Sequence, residues 1–299
     1  MKKLLAILLV VMMLFAFAAC APKEAPAADV PVADEPAKDA PADEPAKDAP
    51  ADAPAEENDW DYIANKGEMI IGITYFEPMN YFDENGELIG FETEFAKAVC
   101  EELGITPNFI EINWDTKEVE LAAKTIDAVW NGCTITEDRK ENMDFSVPYI
   151  KNKQVCIIKA SNAEKYTDLA SMADANFVAE VGSAGESAIA AEEALANVNY
   201  TPVQYQSNAL MEIKAGTADV TVIDYVMAMG MVGPGTDYED LMIVDGIELT
   251  VEEYGIGFRK GSDATLEMVN AAIEKLAQDG TLNEIAKKYE LEASLIFNQ

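Results

Sequence analysis

The chain has 299 residues and carries 55 Asp and Glu against 21 Lys and Arg, a formal net charge of −34. Such a surface repels nucleic acid and anionic lipid headgroups, so no nucleic-acid partner is expected. There is no histidine, which excludes histidine general bases, Ser-His-Asp triads and histidine metal sites, and neither a metal nor a cofactor is expected.

From the start of the chain, Lys2 and Lys3 precede an apolar run over 4–19 that is short for a membrane span and ends in small side chains. Its ending, Phe17-Ala18-Ala19-Cys20, resembles the lipobox of bacterial lipoprotein precursors. That resemblance implies a signal peptide over 1–19 and a diacylglyceride on Cys20, which would anchor the protein to the outer face of the cell membrane. An ordinary secretory leader or an anchor helix is the alternative. Residues 20–59 form an Ala/Pro/Asp/Glu linker in which the nine residues 33–41 recur at once, unchanged, as 42–50. A repeat without large apolar side chains cannot offset its chain entropy, so this segment is expected to be a disordered tether.

The remaining 240 or so residues read as alternating strands and helices, with room for one large domain or two lobes. Residues 69–73 form a short apolar strand. Residues 91–103 have helical spacing, and Gly104 supplies the cap. A strand at 109–112 is followed by Asp115-x-x-Glu118, which reads as a capping box opening a helix. A strand at 127–131 and a helix from Thr136 follow. The second half gives strands at 154–158 and 177–181, a helix over about 185–196, and a strand at 201–205. A helix over 207–215 ends at Gly216, and a strand spans 218–223. Residues 251–258 are extended, and helices at 263–278 and 281–289 close the chain.

Alternation of this kind predicts an α/β fold with mainly parallel sheets covered on both faces. Ligands of such sheets sit just beyond the carboxyl ends of the strands. The rule marks the loops at 74–80, 113–114, 132–136 and 182–185, together with Asp224. The cysteines match no paired metal or redox spacing. Cys100, Cys133 and Cys156 are expected to be buried and reduced.

Several stretches, in order, resemble the type 3 extracellular solute-binding proteins, the polar amino-acid binders of ABC importers. They are Gly72-Ile-Thr-Tyr-Phe76-Glu-Pro78 and Asn85-Gly86 through Ala96. Asp127-Ala-Val-Trp-Asn-Gly132-Cys-Thr134-Ile-Thr136-Glu-Asp-Arg139 follows, then Met143 to Tyr149, Ala215-Gly216-Thr-Ala-Asp219 through Asp224, and Tyr254-Gly-Ile-Gly-Phe258. Each motif is weak alone, and their ordered set over 62–290 is specific. The resemblance implies a two-lobed periplasmic-binding-protein-like fold of type II. One lobe would comprise 60–151 plus 255–299 and the other 156–251, with extended crossovers near 152–156 and 252–254. It implies a monomer that binds an amino acid in the cleft and hands it to an importer's permease, without catalysis.

A zwitterion leaves water only if each of its charges is met. Arg139 is the candidate for the ligand carboxylate, since a guanidinium makes a two-pronged match. The alternative is a surface arginine paired with Glu137 or Asp138. By the resemblance, Thr134 donates to the carboxylate, Asn131 and Gly132 offer backbone groups to the ammonium, and Asp224 is the ammonium's counter-charge. Asp224 also reads as the N-cap of the next helix. Ser183 and Ala184 lie between a strand and a helix, where free N–H groups favour anions, though a plain turn would look the same. Phe76 and Trp114 match aromatic walls of the side-chain pocket, and Glu180 sits where specificity is set. Ile73 stands where several relatives carry an Asp that reads polar or cationic side chains, so Glu180 or Glu77 would have to compensate. A dehydratase-like enzyme on the same fold and a module reporting to a sensor are the rival readings. The lack of histidine and the Arg139/Asp224 pair argue against the enzyme.

Overall fold

The computed structural model describes residues 58–298. Cys20, the leader and the linker repeat lie outside the described residues. The linker ends earlier than its composition suggested. Asp59 opens helix α1 (Asp59–Lys66), because Asn58 Oδ1 accepts the Asp61 N–H at 2.9 Å as an N-cap. Arg259 then ties Asp59 to the body of the protein at 2.7 Å.

The first lobe continues with β1 (Glu68–Ile73), the short hairpin β2 (Tyr81–Phe82) and β3 (Leu88–Ile89), and α2 (Phe91–Leu103). It then runs through β4 (Thr106–Glu111), α3 (Lys117–Ala122), β5 (Ala128–Val129), α4 (Glu137–Asn142) and β6 (Met143–Phe145). Strand β7 (Ile150–Lys159) leads into the second lobe. That lobe holds β8 (Asn176–Glu180), α5 (Ala184–Ala191), β9 (Asn199–Val203), α6 (Gln206–Ala215), β10 (Val220–Asp224), α7 (Tyr225–Met231) and β11 (Leu241–Ile243). Strand β12 (Thr250–Tyr254) returns the chain, and β13 (Gly257–Arg259), α8 (Asp263–Gln278) and α9 (Thr281–Lys288) complete the first lobe.

Each lobe is built on one sheet, ordered β4-β1-β5-β13-β6 in the first and β11-β7-β10-β8-β9 in the second. The sheets are mixed. Strands joined through helices run parallel, as β1 does with β4 and β5, and β8 with β9 and β10. Strands entered from a crossover run antiparallel, as β13 does with β5 and β6, and β7 with β10 and β11. A chain that passes directly between lobes returns without the helical connection that a parallel pair needs. The crossovers themselves pair: β12 lies antiparallel to β7 from Thr250↔Gln154 to Tyr254↔Ile150.

Burial follows the periodicity that the sequence shows. Met69, Ile71 and Ile73 are buried in β1, and Phe91, Phe95, Ala96, Val99 and Cys100 line the core face of α2. Gly104 ends α2 in the left-handed region at φ 70°, donating to the carbonyls of Cys100 and Glu101. In the second lobe Cys156, Ile158, Phe177, Ala179, Val220 and Val222 form the corresponding core. Cys100, Cys133 and Cys156 are free and buried. Burial raises all three thiols, Cys100 and Cys156 to about 12, so they are inert packing groups.

Three local expectations fail for identifiable reasons. Asp115 does not cap the helix after β4. Asn113 Oδ1 takes the Asp115 N–H instead and starts a single 3-10 turn, Trp114–Thr116, before α3. Strand β5 is only two residues long: at its entry Asp127 turns its carboxylate to the Ile70 N–H and to Arg259, and beyond its exit Asn131 turns its amide to the Thr74 carbonyl and Asn80. The helix expected to reach residue 196 stops at Ala191, and the 3-10 turn Glu193–Leu195 begins from Glu192, whose side chain caps it.

Candidate functional site

The carboxyl ends of β1, β5, β8 and β10 face one another across the cleft, and the side chains beyond them enclose a cavity. Its lining is Thr74, Tyr75, Phe76, Trp114, Asn131, Gly132, Thr134, Arg139, Glu180, Ser183, Ala184, Gln206, Asp224 and Met227. All ten ligand-site residues expected from the sequence are among these. Thr74 and Tyr75 fall in the loop that the strand-end rule marked. Gln206, at the start of α6, and Met227, in α7, carry no local motif.

Arg139 sits in the first turn of α4, whose N-cap Thr136 accepts the Arg139 N–H at 3.2 Å. That cap aims the side chain back over the strand ends. Arg139 is 8% exposed, and its guanidinium lies over the Trp114 ring at 5.7 Å. Nη1 donates to the Thr134 carbonyl at 2.8 Å, and Nη2 donates to the Gly182 carbonyl of the second lobe at 3.2 Å. Of the two surface carboxylates beside it, Glu137 and Asp138, Glu137 pairs with Lys140 at 2.8 Å. Lys117 is also buried. Its ammonium lies over Trp114 at 4.8 Å and donates to the Trp114 and Gly182 carbonyls at 3.1 and 3.2 Å. Burial, reinforced by Arg139, lowers its pKa to about 8.

The loop from Asn131 to Thr134 is held from behind. Asn131 Nδ2 donates to the Thr74 carbonyl and to Asn80 Oδ1, both at 2.8 Å, and Thr74 Oγ1 donates to Asn131 Oδ1 at 2.7 Å. Gly132 has φ 55°, and a Cβ there would stand 2.4 Å from the Phe76 ring, so only glycine fits. Its N–H donates to both carboxylate oxygens of Glu92, at 3.0 and 2.8 Å, and Tyr149 donates its hydroxyl to the same group. Burial raises Glu92 to about 7 against those hydrogen bonds.

On the other wall, Asp224 ends β10 and is 5% exposed. It occupies the N-cap position of α7, but its side chain makes no cap bond. Its Oδ1 accepts from Asn152 Nδ2 at 2.5 Å, Tyr254 Oη at 2.6 Å and Gln154 Nε2 at 2.9 Å, and Gln206 Nε2 donates to Oδ2. Burial and the neighbouring Glu252 raise it to about 6, while those hydrogen bonds oppose the rise. Glu180, at the end of β8, is 4% exposed, and its Oε1 has no hydrogen-bond partner among the described residues. Burial and Asp224 raise it to about 8 against the pull of Lys117, Gln206 and Arg139. Ser183 caps α5 by accepting the Glu186 N–H at 3.0 Å, and Ala184 begins that helix. Gly182, at φ 70°, lets the second lobe approach Asp115: a Cβ there would lie 3.1 Å from the Asp115 Cα.

Glu77 is half-buried, is raised by burial and by Asp237, and does not line the cavity. Ile73 belongs to the core of the first lobe. Of the two carboxylates weighed as compensating for Ile73, only Glu180 faces the cavity.

The groups lining the cavity supply partners for both charges of a small zwitterion. Arg139 and the aromatic faces of Phe76 and Trp114 line one wall, and the carboxyl groups of Asp224 and Glu180 line the other. Comparison with known proteins agrees in kind. Residues 69–292 match the family described as bacterial extracellular solute-binding proteins, family 3. The L-cystine-binding protein TcyJ of Escherichia coli strain K12 is 26% identical over 228 residues, covering 76% of this chain and 84% of that protein. A probable histidine-binding protein of Neisseria gonorrhoeae is 30% identical over 235 residues, covering 76% and 84%. A solved structure of an ABC uptake transporter substrate-binding protein from Streptococcus pneumoniae, with bound histidine, superposes with a TM-score of 0.70. It is 31% identical and covers 78% of this chain and 96% of its own.

Proposed function

We propose, from the premise that the chain belongs to the bacterial extracellular solute-binding proteins of family 3, that its cleft captures a free amino acid and presents it to the permease of an ABC importer. The observation that carries this reading is the placement of Arg139 and Asp224, both buried, on opposite walls of one cavity. The guanidinium meets the ligand carboxylate, assisted by Thr134 and the start of α5, and Asp224 meets the ammonium. Phe76, Trp114 and Glu180 surround the variable side chain. The free space is only about 10 Å³, the room of a single water, so admitting an amino acid requires the lobes to part or these side chains to move. No catalytic step is assigned to the site.

The test is a melting screen of the protein against the twenty amino acids, cystine and ornithine. A ligand present at a hundred times its dissociation constant adds about 2.7 kcal/mol of stability. If none of these compounds moved the melting temperature, the amino-acid reading would be wrong. The anchoring of the protein through a lipid on Cys20 is proposed from the sequence. An unmodified Cys20 in mass spectra of the membrane-extracted protein would refute it.

A further inference from the structure

Asp224 does not stand alone behind the cleft. Glu252, on the returning crossover β12, brings a second carboxylate to the same junction. Its Oε1 accepts from Asn152 Nδ2 at 2.6 Å, from Gln154 Nε2 at 2.8 Å and from Thr134 Oγ1 at 3.0 Å, and its Oε2 accepts from Thr250 Oγ1 at 3.1 Å. The two amide nitrogens are the same ones that reach Asp224 Oδ1. Each amide nitrogen carries two hydrogens, so Asn152 and Gln154 each give one to either carboxylate. Neither carboxylate enters an ion pair among the described residues.

The residues of this junction come from every part that moves when lobes close. Thr134 belongs to the first lobe, Asn152 and Gln154 to β7, Glu252 and Tyr254 to β12, and Asp224 to the second lobe. We propose that Glu252 is a positioning residue for the binding site. From the second crossover it holds Thr134 directly and Asp224 through the shared amides, in the arrangement that receives an amino acid. This rests on the reading of Asp224 as the ammonium's partner. Two like charges sharing two donors are unfavourable until a cation arrives. The ammonium of an amino acid is such a cation, and it strengthens the junction by neutralising it. Glu252 therefore sets both the geometry of the ammonium site and the charge that the ligand relieves.

The titratable groups facing Asp224 are Glu252 and Tyr254 from β12, Glu92 from α2 and Glu180 from β8. Two substitutions separate the roles of Glu252. Glu252→Gln keeps an amide oxygen that accepts from Asn152, Gln154 and Thr134, but removes the charge. Glu252→Ala removes both. In the full chain, calorimetry with L-arginine, L-histidine and L-cystine is expected to show Glu252→Ala weakened by about ten-fold or more, with Glu252→Gln restored to within about three-fold. Carboxyl carbon-13 titration of Asp224, with no amino acid added, is expected to give a lower midpoint in Glu252→Gln than in the parent, because the like charge is gone. That second readout does not depend on which amino acid binds, or on whether the alanine variant folds. An alanine variant that binds within about two-fold of the parent, or an Asp224 midpoint unmoved in Glu252→Gln, would overturn the proposal. Asp224→Asn, titrated alongside, separates the two failures. If it binds like the parent while the Glu252 results hold, the ammonium assignment is wrong and the positioning of Thr134 stands.

Discussion

The two walls of the cleft differ in chemistry. The first lobe contributes the cation Arg139, backed by Lys117 outside the cavity lining, the aromatic faces of Phe76 and Trp114, and the braced loop around Gly132. The second contributes the carboxylates Asp224 and Glu180 and the start of helix α5. Arg139 and Lys117 both donate to the Gly182 carbonyl of the second lobe, so the cationic wall already reaches across the cleft. On the proposed assignment, a zwitterion held between such walls has its carboxylate on Arg139 of the first lobe, assisted by the start of α5, and its ammonium on Asp224 of the second. Binding and closure are then one event, since neither lobe alone satisfies both charges.

The sharpest way to break this division is to remove one charge from each wall. Arg139→Ala and Asp224→Asn each leave one end of a buried ligand without its partner, a loss of about 3–5 kcal/mol. At about 1.4 kcal/mol per factor of ten, affinity falls by hundreds-fold or more for every amino acid that the parent binds. Calorimetry reads this directly. If Arg139→Ala bound the parent's preferred amino acid within a few-fold, the carboxylate would not lie on the first wall.

How much of this contrast was legible in the sequence depends on how local each feature is. The strand-end rule and the short motifs bring Phe76, Arg139, Glu180 and Asp224 to one cleft, because Phe76, Glu180 and Asp224 follow or end apolar runs that read as buried strands and Arg139 opens the helix that follows such a strand. The support behind them was not legible. Glu92 reads as an ordinary polar position of an amphipathic helix, yet it is fully buried against Gly132. Asn152, Gln154 and Glu252 lie in extended segments where polar residues usually face water, and they meet only because β7 and β12 pair. The expected capping box failed for the opposite reason. Two local solutions competed within three residues, and Asn113 captured the N–H that would have tied down Asp115. Sheet polarity is a further miss, since alternation of strands and helices says nothing about a strand entered from a crossover.

A smaller effect separates the constant end of the ligand from its variable end. Glu180 belongs to the second wall; it lines the cavity, and its Oε1 has no hydrogen-bond partner among the described residues. Glu180→Gln is expected to leave general amino-acid binding intact and to reorder preference by about ten-fold, away from side chains that carry hydrogen-bond donors. The variant also has a signature without ligand. The folded protein holds the Glu180 proton up to about pH 8, whereas the unfolded chain releases it in the ordinary carboxylate range. The folded state therefore binds more protons over that interval, and its stability declines as pH rises through it, by about 1.4 kcal/mol per pH unit. Glu180→Gln removes this decline. It is expected to melt above the parent at pH 8 and to converge with it near pH 4. Superimposable melting profiles and an unchanged ranking would remove Glu180 from the variable end.

The smallest expected effect concerns closure itself, apart from any ligand contact. At the mouth of the cleft Tyr205 of the second lobe donates its hydroxyl to Glu111 Oε1, at the end of β4, at 2.5 Å. This hydrogen bond joins the two lobes, and neither residue lines the cavity. It is open to solvent, so it contributes little, about 0.5–1.5 kcal/mol. Because it stabilises the closed arrangement alone, losing it lowers the closed fraction and raises every dissociation constant by the same factor. Tyr205→Phe is expected to weaken all bound amino acids by about three-fold, without changing their order. Scattering at subsaturating ligand should show a correspondingly larger mean radius of gyration. A change in ranking would place Tyr205 in contact with the ligand. Unchanged affinities would mean that the cleft closes on Arg139, Lys117 and Asp224 without help from its rim.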